Sequence, residues 1–253
     1  EGEKVLKWAH SILDNWSSLQ QEISTLRNTK GELIGRLSLG VVPSALPMAA
    51  LITKAIQDRH GGIELTVLSQ SSVDILRNLE DFSIDVGLTY LDNEPIEGMR
   101  AESIYMERYC LLVRQDHAFA RKSSVTWAEA AKQPLCLLTP DMQNRRIIDQ
   151  HLADAGVQVR PTLESNSMIV LFSHIRTGKW SSIMPLNLTE TLGFSEPIRA
   201  IPIVEPDASH TVGLVAGPGA PQTPLVSALL DEAMALASDL RAAGPATKGA
   251  PAH

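Results

Sequence analysis

The chain is poor in cysteine and in aromatic residues. Its 253 residues include two cysteines, and aromatic residues make up 4% of the composition. Cys110 and Cys136 both lie in apolar, strand-like runs, which predicts two reduced thiols in the core. The alternative, a redox switch, needs an exposed thiol of low pKa, and no cationic residue is placed to provide one.

Patterns for metal binding, membrane insertion and secretion are also missing. The seven histidines have no metal-ligand spacing, so neither a metal nor another cofactor is expected. No apolar run reaches the roughly 18 residues that a membrane span needs. No hydrophobic region of a signal peptide is visible either.

Recognisable catalytic motifs are absent as well. The sequence has no GxSxG, Walker A or GxGxxG motif. Asp85 and Asp141 could be acids or bases near strand ends, but a carboxylate without a partner is more typical of a cap or a solvated group. We therefore expect no enzyme activity. The net charge of −7 repels phosphate, so this chain is not expected to bind nucleic acid by itself.

Residues 1–30 carry a narrow apolar seam. Apolar residues alternate at spacings of four and three, which is typical of the a and d positions of a coiled coil. This predicts a linker helix, ended by Gly31, that pairs with a second copy of the chain. The alternative is a helix packed on its own domain. The predicted dimerisation residues are Val5, Ala9, Ile12, Trp16, Leu19, Ile23 and Leu26.

From Gly35 onward, strands and helices alternate. Apolar runs predict strands at Arg36–Val42, Ile63–Leu68 and Ile84–Leu88. Helical periodicity predicts helices at Ser44–Arg59 and Ser72–Glu80 between them. A βαβαβ unit of this kind implies a mainly parallel sheet.

A similar order recurs about 100 residues later. The predicted elements are strand Leu135–Leu138, helix Arg145–Ala155, strand Val159–Leu163, helix Ser167–Thr177 and strand Ser181–Met184. Gly156 and Gly178 are expected to end the two helices. In both halves, hydroxyl residues follow the strands and open helices, so we expect two α/β lobes that present helix N-termini to a shared cleft.

Two connections must cross between the lobes. Glu107–Arg114 leaves the first lobe, and His210–Ala216 follows the last strand of the second, Ile198–Val204. Thr223 and Pro224 then begin an amphipathic helix. If that helix packs on the first lobe, the second lobe is an insertion between two crossover strands.

The stretch GELIGRLSLGVVPSALP, from Gly31 to Pro47, suggests where a ligand binds. Its apolar strand turns into a helix at Pro43-Ser44, which predicts Ser44 as a helix N-cap at the ligand-binding edge of the sheet. Arg145 and Arg146 are predicted in the first turn of a helix, where cations oppose the macrodipole. Either an anion binds there, or the two arginines pair with Asp141 or Asp149.

Several of these stretches together resemble a LysR-type transcriptional regulator without its DNA-binding head. EGEKVLKWAHSIL is similar to the start of the family's linker helix, and GELIGRLSLGVVPSALP to its first effector-domain strand. Later segments of the family are similar, in the same order, to LRNLEDFSIDVGLTY, to RYCLLVRQDHAFA with VTWAEAAKQPLCLLTP, and to TGKWSSIMP. The resemblance covers residues 1–240. Two positions depart from it: Phe82 and Trp180 replace glycines, and Trp180 either narrows a pocket or fills packing space.

The resemblance implies an α/β fold of two Rossmann-like subdomains of periplasmic-binding-protein type, joined by two crossover strands. Residues 1–30 would be the linker helix, 31–108 with 215–241 subdomain I, 109–214 subdomain II, and 242–253 a disordered tail. It further implies a cytoplasmic homodimer or homotetramer that senses a small, anionic metabolite. DNA would be bound only through a winged helix-turn-helix that is not in this chain. The alternative is a solute-binding receptor of a transport system.

The resemblance also implies an effector site between the subdomains. Ser44, Ser71, Ser72 and Ser167 would donate hydrogen bonds, Arg145 would supply charge, and Pro43 and Met184 would shape the walls. The full set of expected effector-binding residues is Pro43, Ser44, Ser71, Ser72, Thr89, Tyr90, Thr139, Asn144, Arg145, Ser165, Ser167 and Met184.

Overall fold

The computed structural model describes residue 16 and residues 33–92, 95–191, 197–217 and 223–243. Of the predicted seam, only Trp16 belongs to this set; it is helical and 58% exposed. The other six dimerisation residues and Gly31 lie outside the described residues. The predicted linker helix therefore stays a prediction.

The first lobe is built on three parallel strands in the order β2-β1-β3. These are β1 (Ile34–Val41), β2 (Gly62–Ser69) and β3 (Val86–Tyr90). Helices α1 (Leu46–Arg59) and α2 (Ser72–Glu80) connect them. This parallel pairing confirms the predicted βαβαβ unit. Apolar side chains from β1 and both helices bury one shared core.

Two long strands tie the first lobe to the rest of the chain. Strand β4 (Arg100–Arg114) pairs antiparallel with β10 (Ser209–Ala216), which in turn pairs with β3. Beyond Arg108, β4 pairs instead with β8 (Ser182–Pro185) and β9 (Ile198–Val204). The same strand therefore serves both lobes without interruption.

The second lobe surrounds the distal half of β4. The short strand β5 (Val125–Thr126) pairs with β9, and β6 (Cys136–Leu138) pairs parallel with β7 (Leu163–Ser165). The prediction of a strand at Val159–Leu163 is wrong, since pairing starts only at Leu163. Pro161 has no N–H to donate, and the chain before it packs as irregular structure.

Four helices cover the strands of the second lobe. They are α3 (Trp127–Ala131), α4 (Gln143–Asp154), α5 (Met168–Arg176) and α6 (Leu186–Thr191). Gly156 and Gly178 follow α4 and α5 with φ of 75° and 80°, as expected of glycines that end helices. Cys110 and Cys136 are both fully buried free thiols, so the prediction of core cysteines is confirmed.

The last helix, α7 (Pro224–Ala243), returns to the first lobe. It packs against α1, and Arg59 Nη1 lies 2.7 Å from Glu232 Oε1. The Thr223 hydroxyl caps the helix by accepting from the N–H of Val226 at 3.2 Å. The helix continues through residues 242–243, so the prediction that a disordered tail begins at residue 242 is wrong there; two alanines readily extend a helix. Among the described residues, no helix combines the length and apolarity that crossing a bilayer requires.

Phe82, which stands where the resembled family has glycine, adopts φ of 56°. This left-handed conformation costs a side-chain-bearing residue about 1–2 kcal/mol. The ring is also 42% exposed, so it recovers only part of that cost by burial.

We expect Phe82→Gly to be more stable than Phe82→Ala by about 1 kcal/mol. Both substitutions remove the ring, but only glycine also removes the Cβ that strains the backbone. Urea unfolding of the two variants measures the difference. Equal free energies of unfolding would show that this turn stores no strain.

Candidate functional site

Ser44 lies in a 3-10 turn, Pro43–Ala45, between β1 and α1. The prediction of Ser44 as a helix N-cap is wrong. The extended residue that precedes the turn is Val42, and α1 begins at Leu46 without a side-chain cap. Ser44 is 3% exposed, and its hydroxyl instead lies 3.0 Å from the hydroxyl of Tyr90 at the end of β3.

The alternating residues Tyr105, Glu107 and Tyr109 put their side chains on one face of β4. Glu107 has no exposed surface. Its Oε1 accepts a hydrogen bond from the hydroxyl of Tyr90, and its Oε2 accepts one from the hydroxyl of Tyr105 at 3.3 Å. A carboxyl group is thus buried among hydroxyl groups at the point where β4 leaves the first lobe.

The N-terminal turn of α4 reaches this cluster from the second lobe. Asn144 Nδ2 donates to the hydroxyl of Tyr90 at 3.1 Å. Two residues later, Arg146 Nη2 donates to the hydroxyl of Ser72 at 3.2 Å, at the start of α2. Side chains of both lobes therefore meet directly. Of the predicted set, Ser44, Tyr90 and Asn144 are brought together, and Ser72 contacts Arg146.

Burial dominates the protonation of this cluster. It raises the pKa of Glu107 to about 7, although the hydrogen bonds from Tyr90, Tyr105 and Asn144 favour the ionised form. Burial, followed by the negative charge of Glu107, also raises the pKa of Tyr90 well above its usual value. The tyrosines remain donors, and the carboxyl changes charge near neutral pH.

A histidine pair lies beside the cluster. His151 Nε2 on α4 is 2.9 Å from His210 Nε2 on β10, and the ring of Trp127 stacks 4.8 Å from that of His151. Burial lowers the pKa of both histidines, and for His151 the neighbouring His210 lowers it further. The pair borders a groove of about 340 Å³ lined by Gln143, Arg146, Ile147, Gln150, His151 and His210.

Other predicted residues serve local structure. Ser71 caps α2 by accepting from the N–H of Asp74 at 3.2 Å, and Ser165 accepts from the N–H of Ser167 at 3.1 Å. Pro43 is buried in the turn beside Ser44. Met184 packs in the core of the second lobe and lines no part of the contact between Tyr90 and Asn144 described above.

Thr89 and Thr139 have buried hydroxyl groups. Among the described residues, neither hydroxyl has a hydrogen-bond partner. Thr89 is fully buried next to Tyr90 in β3, and Thr139 precedes α4. Two further buried hydroxyl groups thus belong to residues that are close in sequence to Tyr90 and Asn144.

Arg145 is engaged by two carboxylates. Its Nε lies 2.8 Å from Asp149 Oδ1, and its Nη1 lies 2.6 Å from Glu164 Oε1. Of the two alternatives for this arginine, ion pairing with Asp149 is therefore observed. Its charge is balanced within the second lobe, which removes the main reason to expect an anionic ligand.

Trp180 packs on the surface of the second lobe. Its Nε1 donates to the hydroxyl of Thr162 at 3.0 Å, and its ring meets that of His174 at 5.1 Å. These contacts favour the interpretation that Trp180 fills packing space.

The central residue of the site is not among the predicted effector-binding residues. The sequence predicts Glu107 only as the start of a crossover strand. The missed signal was the pattern Tyr105-x-Glu107-x-Tyr109, in which a carboxylate and two hydroxyls share one strand face immediately before a fully apolar run. His151 and His210 give no local signal, because they lie 59 residues apart in sequence.

Two α/β lobes that meet through polar side chains and share paired crossover strands define a two-lobed binding domain. Residues 30–238 match the LysR substrate binding domain family. The chain belongs to this family, and the expected fold class is confirmed.

Curated relatives of the chain are transcriptional regulators. A probable nitrogen assimilation transcriptional activator of Synechocystis is 24% identical over 194 residues, which cover 74% of this chain. The chain spans only 60% of that relative's length. The hydrogen peroxide-inducible genes activator of Haemophilus influenzae is 21% identical over 239 residues, covering 91% of this chain and 79% of the relative.

Solved structures share the fold at low sequence identity. CbnR bound to its target DNA superposes with a TM-score of 0.72 at 16% identity, covering 94% of this chain and 82% of that one. The Synechocystis CcmR regulatory domain in complex with 2-PG gives 0.72 at 18% identity, covering 81% and 99%. An H2O2-bound OxyR variant of Corynebacterium glutamicum gives 0.70 at 20% identity, covering 100% and 80%.

We expect the burial of Glu107 to make the fold less stable as pH rises. Its pKa moves from the ordinary 4.5 to about 7, so the folded state holds the proton more tightly than the unfolded state. The contribution of Glu107 to the free energy of unfolding should therefore fall between these two pH values, by about 3 kcal/mol in total. Urea unfolding of the wild type and of Glu107→Gln at pH 5, 6, 7 and 8 measures this loss.

The wild type should lose stability relative to Glu107→Gln across that range. Glu102→Gln, a change of a partly exposed carboxylate on the same strand, is the matched control and should follow the wild type. Parallel pH profiles for the wild type and Glu107→Gln would contradict the shifted pKa.

Proposed function

We propose that this chain is the effector-sensing and oligomerisation region of a LysR-type DNA-binding transcriptional regulator. The family match and the regulators among its relatives support this function. We assign the chain no catalytic activity. A solute-binding receptor of a transport system has the same lobes, but the family match does not favour it.

We propose the following division of the chain. Residues 1–30 form the dimerisation helix, 31–108 with 215–241 form subdomain I, and 109–214 form subdomain II. The regulator is a cytoplasmic homodimer or homotetramer and contacts DNA through a winged helix-turn-helix outside this chain. The DNA-bound structure of CbnR, which has the same fold, is consistent with that arrangement.

The effector site in this proposal is the contact between the lobes. The observation that carries it is the convergence of buried polar side chains from β3, β4 and α4 onto Tyr90 and Glu107. Burying a polar side chain costs free energy unless it is hydrogen-bonded. Ligand sites combine a few converging polar groups of this kind with apolar walls. The solved complex of the CcmR domain with 2-PG is an example of a small ligand on this fold.

Signalling in this proposal is a population shift. An effector must bind one arrangement of the lobes better than another in order to move the equilibrium. The hydrogen bonds Asn144–Tyr90 and Arg146–Ser72 exist only while the lobes are in contact. Each net hydrogen bond contributes about 1 kcal/mol, so a ligand that replaces them can compete.

We expect Ser44→Ala to weaken effector binding at least severalfold. The substitution removes the hydroxyl that lies 3.0 Å from Tyr90 and leaves the aromatic hydroxyl less firmly placed. Thermal shift with a library of small metabolites finds the binder, and isothermal titration of the full-length regulator then gives its affinity.

Ser173→Ala is the matched control, since this serine is exposed on α5 and bonds only its own helix. It should bind like the wild type. An unchanged affinity in Ser44→Ala would place the effector site elsewhere.

Peroxide sensing is a candidate function, because one relative is a hydrogen peroxide-inducible genes activator. A thiol that reacts with peroxide must be accessible and readily ionised. Here both thiols are fully buried, and burial raises the pKa of Cys136 to about 11. We therefore do not propose a thiol-based peroxide sensor.

Native protein should accordingly react with Ellman's reagent far more slowly than protein unfolded in urea. After exposure to hydrogen peroxide and removal of the oxidant, the unfolded chain should still show two free thiols by mass spectrometry. Rapid loss of either thiol in the native state would contradict this expectation.

A further inference from the structure

Glu107 is a buried carboxyl without a cationic partner. It has no exposed surface, and among the described residues no ion pair includes it. Its hydrogen bonds come from neutral groups, the hydroxyls of Tyr90 and Tyr105 and the side-chain amide of Asn144. An ionised carboxylate in such a place is costly unless a positive charge compensates it.

The nearby arginines direct their charges elsewhere. Arg145 pairs with Asp149 and Glu164, and Arg108, next to Glu107 in sequence, lies 3.3 Å from Asp207. The side chain of Arg146 bonds the hydroxyl of Ser72 and the carbonyl of Asp141. None of these contacts compensates the charge of Glu107.

The carboxylate also retains capacity for further hydrogen bonds. An ionised carboxylate offers about four acceptor positions, and Tyr90, Tyr105 and Asn144 occupy three of them. The hydroxyl of Tyr109, on the same face of β4, is buried and has no hydrogen-bond partner among the described residues. Tyr109 is 2% exposed, so solvent does not satisfy this hydroxyl.

We propose that the effector carries a cationic nitrogen, a primary ammonium or a guanidinium, that pairs with Glu107 and bonds the hydroxyl of Tyr109. This inference rests on the proposed function, namely that the contact between the lobes is the effector site. It replaces the anionic effector that the resemblance implies, for which Arg145 was expected to supply the charge. The ligand enters when the bonds of α4 to Tyr90 and Ser72 open.

The test is a thermal shift screen at pH 8 with full-length protein and charge-matched probes. The cations are putrescine, agmatine, lysine and arginine, and the anions are succinate and glutarate. Putrescine and succinate share a four-carbon chain and differ in the sign of their charge. We expect at least one cation to raise Tm and neither dicarboxylate to do so.

Isothermal titration then measures affinity for the stabilising cation. Glu107→Gln should weaken it at least tenfold, and Glu102→Gln should leave it unchanged. At pH 7, binding should also release about half a proton, because the cation favours the ionised form of a group that is about half protonated. Titration in two buffers of different ionisation enthalpy measures that release.

The outcomes separate this inference from the proposed function. If succinate or glutarate binds, loses affinity in Ser44→Ala and keeps it in Glu107→Gln, the effector site stands and the cationic ligand is wrong. If none of the four cations raises Tm, the cationic ligand is wrong as well. If a cation binds and Glu107→Gln does not weaken it, Glu107 is not its partner.

Discussion

The burial of one carboxyl group shapes the centre of this molecule. Glu107 lies on the strand that both lobes share, and the hydroxyls of Tyr90 and Tyr105 compensate its loss of water. Asn144 adds a bond to Tyr90 from the second lobe. The position of the first turn of α4 against the first lobe is therefore coupled to the hydrogen bonding of a single acid.

Two charge-sensitive elements lie close together here and respond to pH in opposite ways. Raising the pH ionises Glu107, and burial of the ionised carboxylate is unfavourable. Lowering the pH would protonate His151 or His210, whose pKa values are lowered by burial, so their charged forms are unfavourable as well. The two effects together favour the observed contact between the lobes at intermediate pH.

Most of the architecture was predictable from local sequence. Apolar runs and helical periodicity located the parallel unit of the first lobe, and Gly156 and Gly178 correctly marked helix ends. The errors arose where a local pattern was incomplete. Pro161 displaced β7 toward the C-terminus, and the residues around Ser44 formed a 3-10 turn in which Ser44 could not act as a cap.

The site was only partly predictable. Ser44, Tyr90 and Asn144 were expected near a cleft from their positions at strand ends and helix starts, and they do meet. Arg145 was expected to supply charge, but Glu164 lies 19 residues away in sequence, and no local pattern reveals that pair. Glu107 was missed because a charged residue in a strand is usually solvent-exposed, and its burial depends on tyrosines of two strands and an asparagine of a distant helix.

The antiparallel ribbon of β4 and β10 limits how the two lobes can move. Its strands are joined by continuous ladder hydrogen bonds from Arg100 to Arg108, with one irregularity at Val212 and Gly213. A Cβ at Gly213 would lie 2.3 Å from the carbonyl oxygen of Glu102, so the two backbones are in close contact there. Strands of such a ribbon have a right-handed twist, and an irregularity of this kind increases the twist locally. We therefore expect any relative motion of the lobes to twist this ribbon rather than to separate its two strands.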